Sequence, residues 1–349
     1  MGGAGESPGS VRFLYRKRMG KEMARYVIKR LLMLIPVILG VAVLIFTIMY
    51  FTPGDPVKLI AGDTMTAEQH DQIAHELGLD QPYFTRLFKF LKQTFIDFDL
   101  GTSYIYNSSV SQELFTRLPR PAIIASGCCL LQVIIAIPLG VTAATHQGGF
   151  LDTFCIVLAI IAISVPSFWI AMLFILLFSL NLNWLPSFGI DHWYSYILPC
   201  AANCLMGLGS TARQTRSQML EVIRSDYVVT ARAKGVPERT ILYSHALPNA
   251  LIPVIIHLGT QFGSALGGTV VIETVFSIPG VGYYMTTAIS NRDYPVVRGG
   301  VTLLAVLFCL VVFIVDMIYA FIDPRIKAQY EGSQKKRLKK TEKRGRVYA

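Results

Sequence analysis

The sequence predicts an all-α integral membrane protein with six transmembrane helices, and three observations carry that prediction. Of its 349 residues, 53% are hydrophobic and 15% charged, against a charged fraction of about 25% in soluble domains. The apolar residues gather in blocks approaching the roughly 20 residues that cross a bilayer. The basic residues alternate in density between the blocks. Eight Lys or Arg fall in 1–30, six in 213–250 and ten in 323–349, against six in 52–120 and two in 276–299. That asymmetry is the positive-inside bias that orients membrane proteins.

Residues 1–26 form a basic leader, expected on the cytoplasmic side. The first span, about 27–51, follows it and ends at the breaker "TPGDP". It is too long for the apolar core of a signal peptide, so it reads as an uncleaved span with its N-terminus inside. The second span is about 121–144, ending before "THQGG"; the third, about 151–180, is long enough to tilt or to leave the membrane. The fourth is about 195–212, the fifth about 250–275 and the sixth about 300–322. An even number of crossings places both termini and the 213–249 segment together, and the basic residues make that side cytoplasmic. The tail, 323–349, with its lysine-rich run Lys335–Arg346, reads as a solvated cytoplasmic segment beside acidic headgroups rather than a nucleic-acid site.

The segment outside, 27–120 counted with the first span, contains "TAEQHDQIAHELGLDQPYFTRLFKFLKQ". Ile73, Leu77, Leu87, Phe88 and Leu91 recur at helical spacing, which predicts two short amphipathic helices broken at Gly78–Pro82 and capping the outer mouth. "NWLPSF" (183–188) and "SIPGVGYYM" (277–285) are further outside loops, each with an aromatic suited to the interface.

Much chemistry is absent from the sequence. It contains no GxxxxGK[ST] phosphate loop and no GxSxG, HExxH or kinase-like set. The six cysteines lie in or beside apolar runs without a CxxC pair, so they read as small core residues. No catalytic or metal-binding residue is expected, and any uphill transport must draw on a partner or an ion gradient.

A polar island, "DYVVTARAKGVPERTILYSHALPNALIP" (226–253), interrupts the apolar runs. The first part is helix-forming and ends at Gly235, with Lys234 favouring the helix C-terminus. Pro237 suits the first position of a second helix, with Glu238 in its positive first turn and Pro248 as its expected end. Ala231 and Ala233 leave room for close approach by another protein, while Arg232, Lys234 and Arg239 supply charge for docking. Taken by itself, the pair also fits an interfacial connector, and less well a DNA-binding helix–turn–helix tethered between two spans.

The stretch resembles the cytoplasmic coupling loop of permease subunits of binding-protein-dependent ABC importers. Their pattern is Glu-Ala-Ala, three residues, Gly, nine residues, Ile, one residue, Leu-Pro. Ala231, Gly235, Leu247 and Pro248 match it, while Val229, Thr230 and His245 stand where the family has Glu, Ala and Ile. The variant "DYVVTARAKG" is similar to the dipeptide/oligopeptide/nickel subfamily. So are "TPGDPV" (52–57), "LGLDQP" (77–82), "DLGTSY" (99–104), "PSFWIAMLFILLFSL" (166–180), "NWLP" (183–186), "ETVFSIPGVG" (273–282), "DYPVVRG" (293–299) and "DPRI" (323–326). The large segment after the first span resembles the permease type with the expanded external region.

The resemblance implies the type I ABC importer permease fold, with 121–322 as its five-helix core and the coupling helix pair within 213–249. It implies a second homologous permease, two ABC ATPases that bind ATP and Mg, and an extracytoplasmic substrate-binding protein, all around a chain that holds no cofactor itself. Asp226, Tyr227, Ala231, Arg232, Ala233, Lys234, Gly235, Pro237 and Arg239 would make the ATPase contact. The location implied is a bacterial or archaeal cell membrane, and the cargo di- or oligopeptides.

Within the spans, Gly259, Gly263 and Gly267 recur every four residues and permit close helix approach, either to the second permease or within the chain. His257, Gln261, Glu273 and Asp316 are polar or ionisable in or near spans, and such groups face either a path or a structural partner. Glu273 is expected near water at the outer end of its span, and Asp316 deeper. Nickel remains an alternative cargo, although His146, His192, His245 and His257 are not clustered. A gradient-driven secondary carrier also remains; it would call for internal repeats that the sequence does not display.

Overall fold

A computed structural model describes residues 8–54, 56–61 and 65–322, with side chains for 25–54, 56–58 and 65–321. The tail 323–349 and Asp55 of "TPGDP" lie outside the described residues. Helices account for the described architecture; the pairing of Thr102 with Ser109 is an isolated bridge.

Helix α1 runs from Pro8 to Phe51, so the helix reaches back through most of the leader rather than starting at the apolar run. After the short α2 (Pro56–Ala61) come α3 (Ala67–Glu76) and α4 (Tyr83–Phe95), the two amphipathic helices expected around Gly78–Pro82. Thr66 and Gln69 form a capping box that starts α3, and Gly78, at φ +66°, turns the chain between the two. Helix α4 packs on α1 through Ala42, Phe46, Leu87 and Phe90. The Thr47 and Tyr83 hydroxyls, 2.7 Å apart, fix the register.

Helix α5 (Val110–Arg117) leads into α6 (Pro119–Leu131), a wide turn at Gln132–Ala136 and α7 (Ile137–Thr145). Helix α8 (Phe150–Ser164) and α9 (Ser167–Phe174, extended by a wide turn to Asn181) meet at 98°. The third span is therefore not one helix. Pro166 cannot donate to the α8 ladder, and it holds Val165 extended at ψ 128°, so the chain turns there.

Helix α10 (Ile197–Ile223) is ringed by α6, α7, α8, α9 and α13. Small residues let its neighbours in: a Cβ on Gly209 would run into the Ala159 carbonyl of α8. After α11 (Asp226–Ala233) and α12 (Glu238–Thr240), a wide turn at Ile241–Ala246 feeds α13 (Leu247–Val275). Helices α14 (Val281–Ser290) and α15 (Tyr294–Ile322) complete the order.

Four helical stretches are long and apolar enough to cross a membrane: Arg25–Phe51, Val110–Thr145, Glu238–Val275 and Tyr294–Phe321. The bent α8–α9 pair raises the number to at most five, one short of the six expected. The fourth expected span, about 195–212, falls on α10, which is long enough but carries Asn203, Ser210, Thr211, Arg213 and Thr215 and does not qualify. Its neighbours are protein, so it does not need the lipid-compatible surface that apolarity measures. Exposed Leu, Ile and Phe residues instead cover α1, α8 and α9, where hydrocarbon would lie.

Helices α13 and α15 run antiparallel, with Gly259 against Val315 and Gly263 against Phe308 and Val311. Arg30 near the start of the α1 span pairs with Asp316 near the end of α15. The 225–246 turn, the start of the α1 span and the end of α15 therefore share one end of the bundle. Helices α4, α5 and α14 gather at the other, where Val110, Leu114, Val281, Met285 and Val296 form a buried cluster.

Candidate functional site

The polar island folds as a tight helix–turn–helix. Helix α10 ends at Arg224, and Ser225, extended at ψ 151°, starts α11. Helix α11 ends at Lys234, followed by Gly235 at φ +77°. A Cβ there would meet no atom within 4 Å, so the need for glycine is conformational, not steric. Arg232 donates two hydrogen bonds to the Glu238 carboxylate, Nη2 at 2.6 Å and Nε at 3.0 Å, closing the turn from both arms. Arg232 is thus a staple within the pair rather than a free docking charge, while Lys234 and Arg239 are exposed.

The second arm does not stop at Pro248. The helix widens at Ile241–Ala246, where the Leu247 N–H bonds to the Leu242 carbonyl five residues back, and it continues as α13. Widening moves the Ser244 carbonyl away from the proline ring, which would clash with it in a regular α-helix. Glu238–Val275 is consequently one continuous helical stretch of 38 residues. It is anchored below by Met219, Val141, Ala144, Ala246 and Ala250, a buried cluster joining α7, α10 and the second arm. Asn249 donates to the Tyr227 hydroxyl at 2.9 Å, tying the first arm to the second.

Of the other residues singled out, Asp226, Ala233 and Pro237 are exposed and Ala231 is half-buried. Tyr227, Val229 and Tyr243 add exposed apolar area beside Lys234 and Arg239. Val228 faces the opposite way and is fully buried. The pair therefore presents one mixed aromatic and basic face to its surroundings and one apolar contact to the bundle.

Between α10 and α13 lies a polar cluster. Gln261 donates to the Ser210 hydroxyl at 2.6 Å, and His257 Nε2 lies 3.3 Å from the same oxygen. All three are half-buried. One residue on from Ser210, Thr211 donates to buried Gln132 of the α6–α7 bend at 3.0 Å. Glu273 and Asp316 lie elsewhere. Glu273 is not near water: it is completely buried and accepts the Tyr283 N–H at 3.0 Å in the first turn of α14. Asp316 is not a deep, isolated acid but the partner of Arg30, at 2.5 Å from its Nε. Gly259 and Gly263 make their close approaches to α15, whereas Gly267 faces open space.

Several structural links were not singled out from sequence. Asp152, in the first turn of α8, is buried and receives Arg216 of α10 in two bonds, 2.5 and 2.7 Å, plus the Gly148 N–H at 2.9 Å. Arg224 at the end of α10 reaches Gln147 at 3.0 Å, so the α7–α8 corner is joined to the foot of the α11–α12 turn. At the opposite end Asp293 accepts Ser103 Oγ at 2.5 Å and the Tyr104 N–H at 3.1 Å. A lone acid in an apolar run was the available signal for Asp152; its partner, 64 residues on, had none.

Comparison with known proteins places these features in context. Residues 136–328 match the family described as "Binding-protein-dependent transport system inner membrane component", and 23–125 match that system's N-terminal membrane component. A putative peptide transport system permease protein of Brucella abortus is 42% identical over 313 residues, covering 87% of this chain and 99% of the relative. The glutathione transport system permease protein of Salmonella typhimurium is 39% identical over 305 residues, covering 87% and 99%. The dipeptide transport system permease protein of Alkalihalophilus pseudofirmus is 35% identical over 333 residues, covering 87% and 100%.

Proposed function

The chain belongs to the family of binding-protein-dependent transport system inner membrane components, and from that membership we propose that it forms half of the membrane path of an ATP-driven importer of short peptides. It is a multi-pass membrane protein and one subunit of an ABC transporter. The peptide cargo is taken from relatives named for peptide, dipeptide and glutathione transport.

The observation that carries the mechanism is the continuity of the second arm with α13. A partner ATPase gripping the 226–240 face pushes directly on a helix that crosses the bundle. The exposed Tyr227, Val229, Lys234 and Arg239 supply the grip. The Gly235 turn and the Arg232–Glu238 staple keep the two arms one rigid unit. ATP and Mg belong to two partner ATPases, whose closure would draw this pair toward its counterpart on a second permease. Helices α10 and α13 would then part or close around Ser210, His257 and Gln261, giving alternating access through a two-state element. In this reading the turn, both termini and the ATPases are cytoplasmic, α10 is the sixth crossing, and a binding protein delivers peptide at the α4–α14 end.

The test is co-purification of the tagged chain with the ATPases of its own transport system. Val229→Asp places a charge on the exposed face without touching the bundle and is expected to strip the ATPases while leaving the chain folded. Recovery of ATP-independent peptide transport from the chain alone would refute the assignment.

A further inference from the structure

At the end of the bundle opposite the turn, a cavity of about 300 Å³ opens between the end of α1, α3, α4 and the start of α15. Its walls include Met49, Tyr50, Gly54, Asp80, Arg86 and Tyr294. A small inner chamber shares Tyr50, Arg86 and Tyr294 with it and adds Tyr104 and Arg298.

Three features of this chamber are out of balance. Tyr294 is only 8% exposed, and its buried hydroxyl has no hydrogen-bond partner. Arg298 has a buried Nε, also without a partner. Its guanidinium lies over the rings of Phe90 and Phe46, at 5.1 and 5.7 Å. Aromatic faces attract the cation but accept none of its in-plane N–H groups. Asp293, close by in sequence, forms no ion pair with it among the described residues; its carboxylate accepts from Ser103 Oγ and the Tyr104 N–H. Arg86, with its guanidinium 5.2 Å from the Tyr50 ring centre, brings a second positive charge to the same wall. Asp80, half exposed, adds a carboxylate to the cavity wall, the only one there among the described residues, and it lies 3.7 Å from His75.

Buried donors and buried charge are normally matched by an acceptor or a counter-ion. Here two guanidinium groups and a tyrosine hydroxyl converge, and among the described residues no carboxylate pairs with either guanidinium. Burial raises the Tyr104 pKa, offset in part by Arg298, so its hydroxyl stays protonated and adds a further donor. The volume is at the lower end of small-molecule sites, and the wall carries apolar Met49 beside the charges.

We propose that this cavity is a second ligand site, separate from the α10–α13 path, which takes a small organic carboxylate of dipeptide size with its carboxylate toward Arg298, Arg86 and Tyr294. The carboxylate chemistry follows from the cavity; the choice of a peptide to carry it rests on the transport reading above. Asp80, at the mouth, would then face the peptide's ammonium group.

The test is calorimetric titration of the purified full chain in phosphatidylcholine nanodiscs with Ala-Ala and with its C-terminal amide. The acid is expected to bind, and the amide at least tenfold more weakly. Arg298→Met should abolish the heat, and Tyr294→Phe, which keeps the ring and removes the unpartnered hydroxyl, should weaken binding several-fold. Lys92→Gln, which removes an exposed cation from α4 outside the cavity, should bind as the parent does. Equal binding of acid and amide, parent-like binding by Tyr294→Phe and Arg298→Met together, or no heat at all would overturn the proposal. So would loss of Ala-Ala binding when phosphatidylglycerol replaces phosphatidylcholine, which would make a lipid headgroup the occupant. ATP-driven peptide uptake by the assembled transporter is measured separately. Uptake without cavity binding refutes the second site alone; cavity binding without uptake refutes the transport reading alone.

Discussion

Gly235 offers a graded test of coupling, because its environment separates conformation from packing. The residue sits at φ +77°, and a side chain there would enter open space. Substitution therefore costs only what the left-handed backbone costs. For Ala that is about 1–2 kcal/mol, which shifts the population of the tight turn by a factor of roughly 5–30. A β-branched residue costs more, and Asn costs less because it tolerates this region. The turn lies at the rim of the bundle, so the change should reopen the angle between the arms without unfolding the core. The assay is ATP-driven peptide uptake per ATP hydrolysed, measured on the assembled transporter in proteoliposomes for Gly235→Asn, Gly235→Ala and Gly235→Val. Coupling should fall in that order, with total chain and bound ATPase little changed for Asn. If Val couples as well as Gly, or if Asn fails as badly as Val, backbone geometry at this turn is not what transmits the stroke.

Two further outcomes are expected. Asp152→Ala leaves Arg216, whose side chain is 24% exposed, without its carboxylate, and should destabilise the chain by about 3 kcal/mol; the thermal midpoint in detergent would register it, and a change within error would show the pair to be dispensable. Gly259→Leu should force α15 away through Val315, while Gly267→Ala, with nothing within 4 Å, should leave the fold intact; loss of the second permease from the Gly267→Ala complex on co-purification would mark that open face as the subunit contact, and retention would locate the contact elsewhere.

The membrane class, the two short amphipathic helices and the helix–turn–helix at 226–240 were legible because each rests on local chemistry: apolar runs, a glycine–proline break, a glycine followed by a proline. What sequence did not show depends on neighbours. The polarity of helix α10 makes sense only once the five elements packed around it are in place. Pro248 reads as a stop, yet one widened turn absorbs it. Glu273 reads as a group at the water's edge because the N–H that meets it, that of Tyr283, arrives through a turn ten positions later. Arg232 looks like a spare charge because its partner Glu238 lies beyond the turn that brings them together. In each case, the sequence shows the type of group but not the long-range contact that decides its role.

The widened turn at Ile241–Ala246 has a further consequence for how this chain can change over time. A helix advances about 100° per residue, so the extra residue held in that turn sets the rotational phase between the 226–240 face and everything on α13 above it. Length can be traded elsewhere in the molecule, in the loops at 183–196 or 99–109, without touching that phase. Within 238–257 it cannot: one residue gained or lost would turn His257 and Gln261 away from Ser210 while leaving the helix itself sound. The stretch is constrained less by its composition than by its angular register, which substitutions preserve and insertions do not.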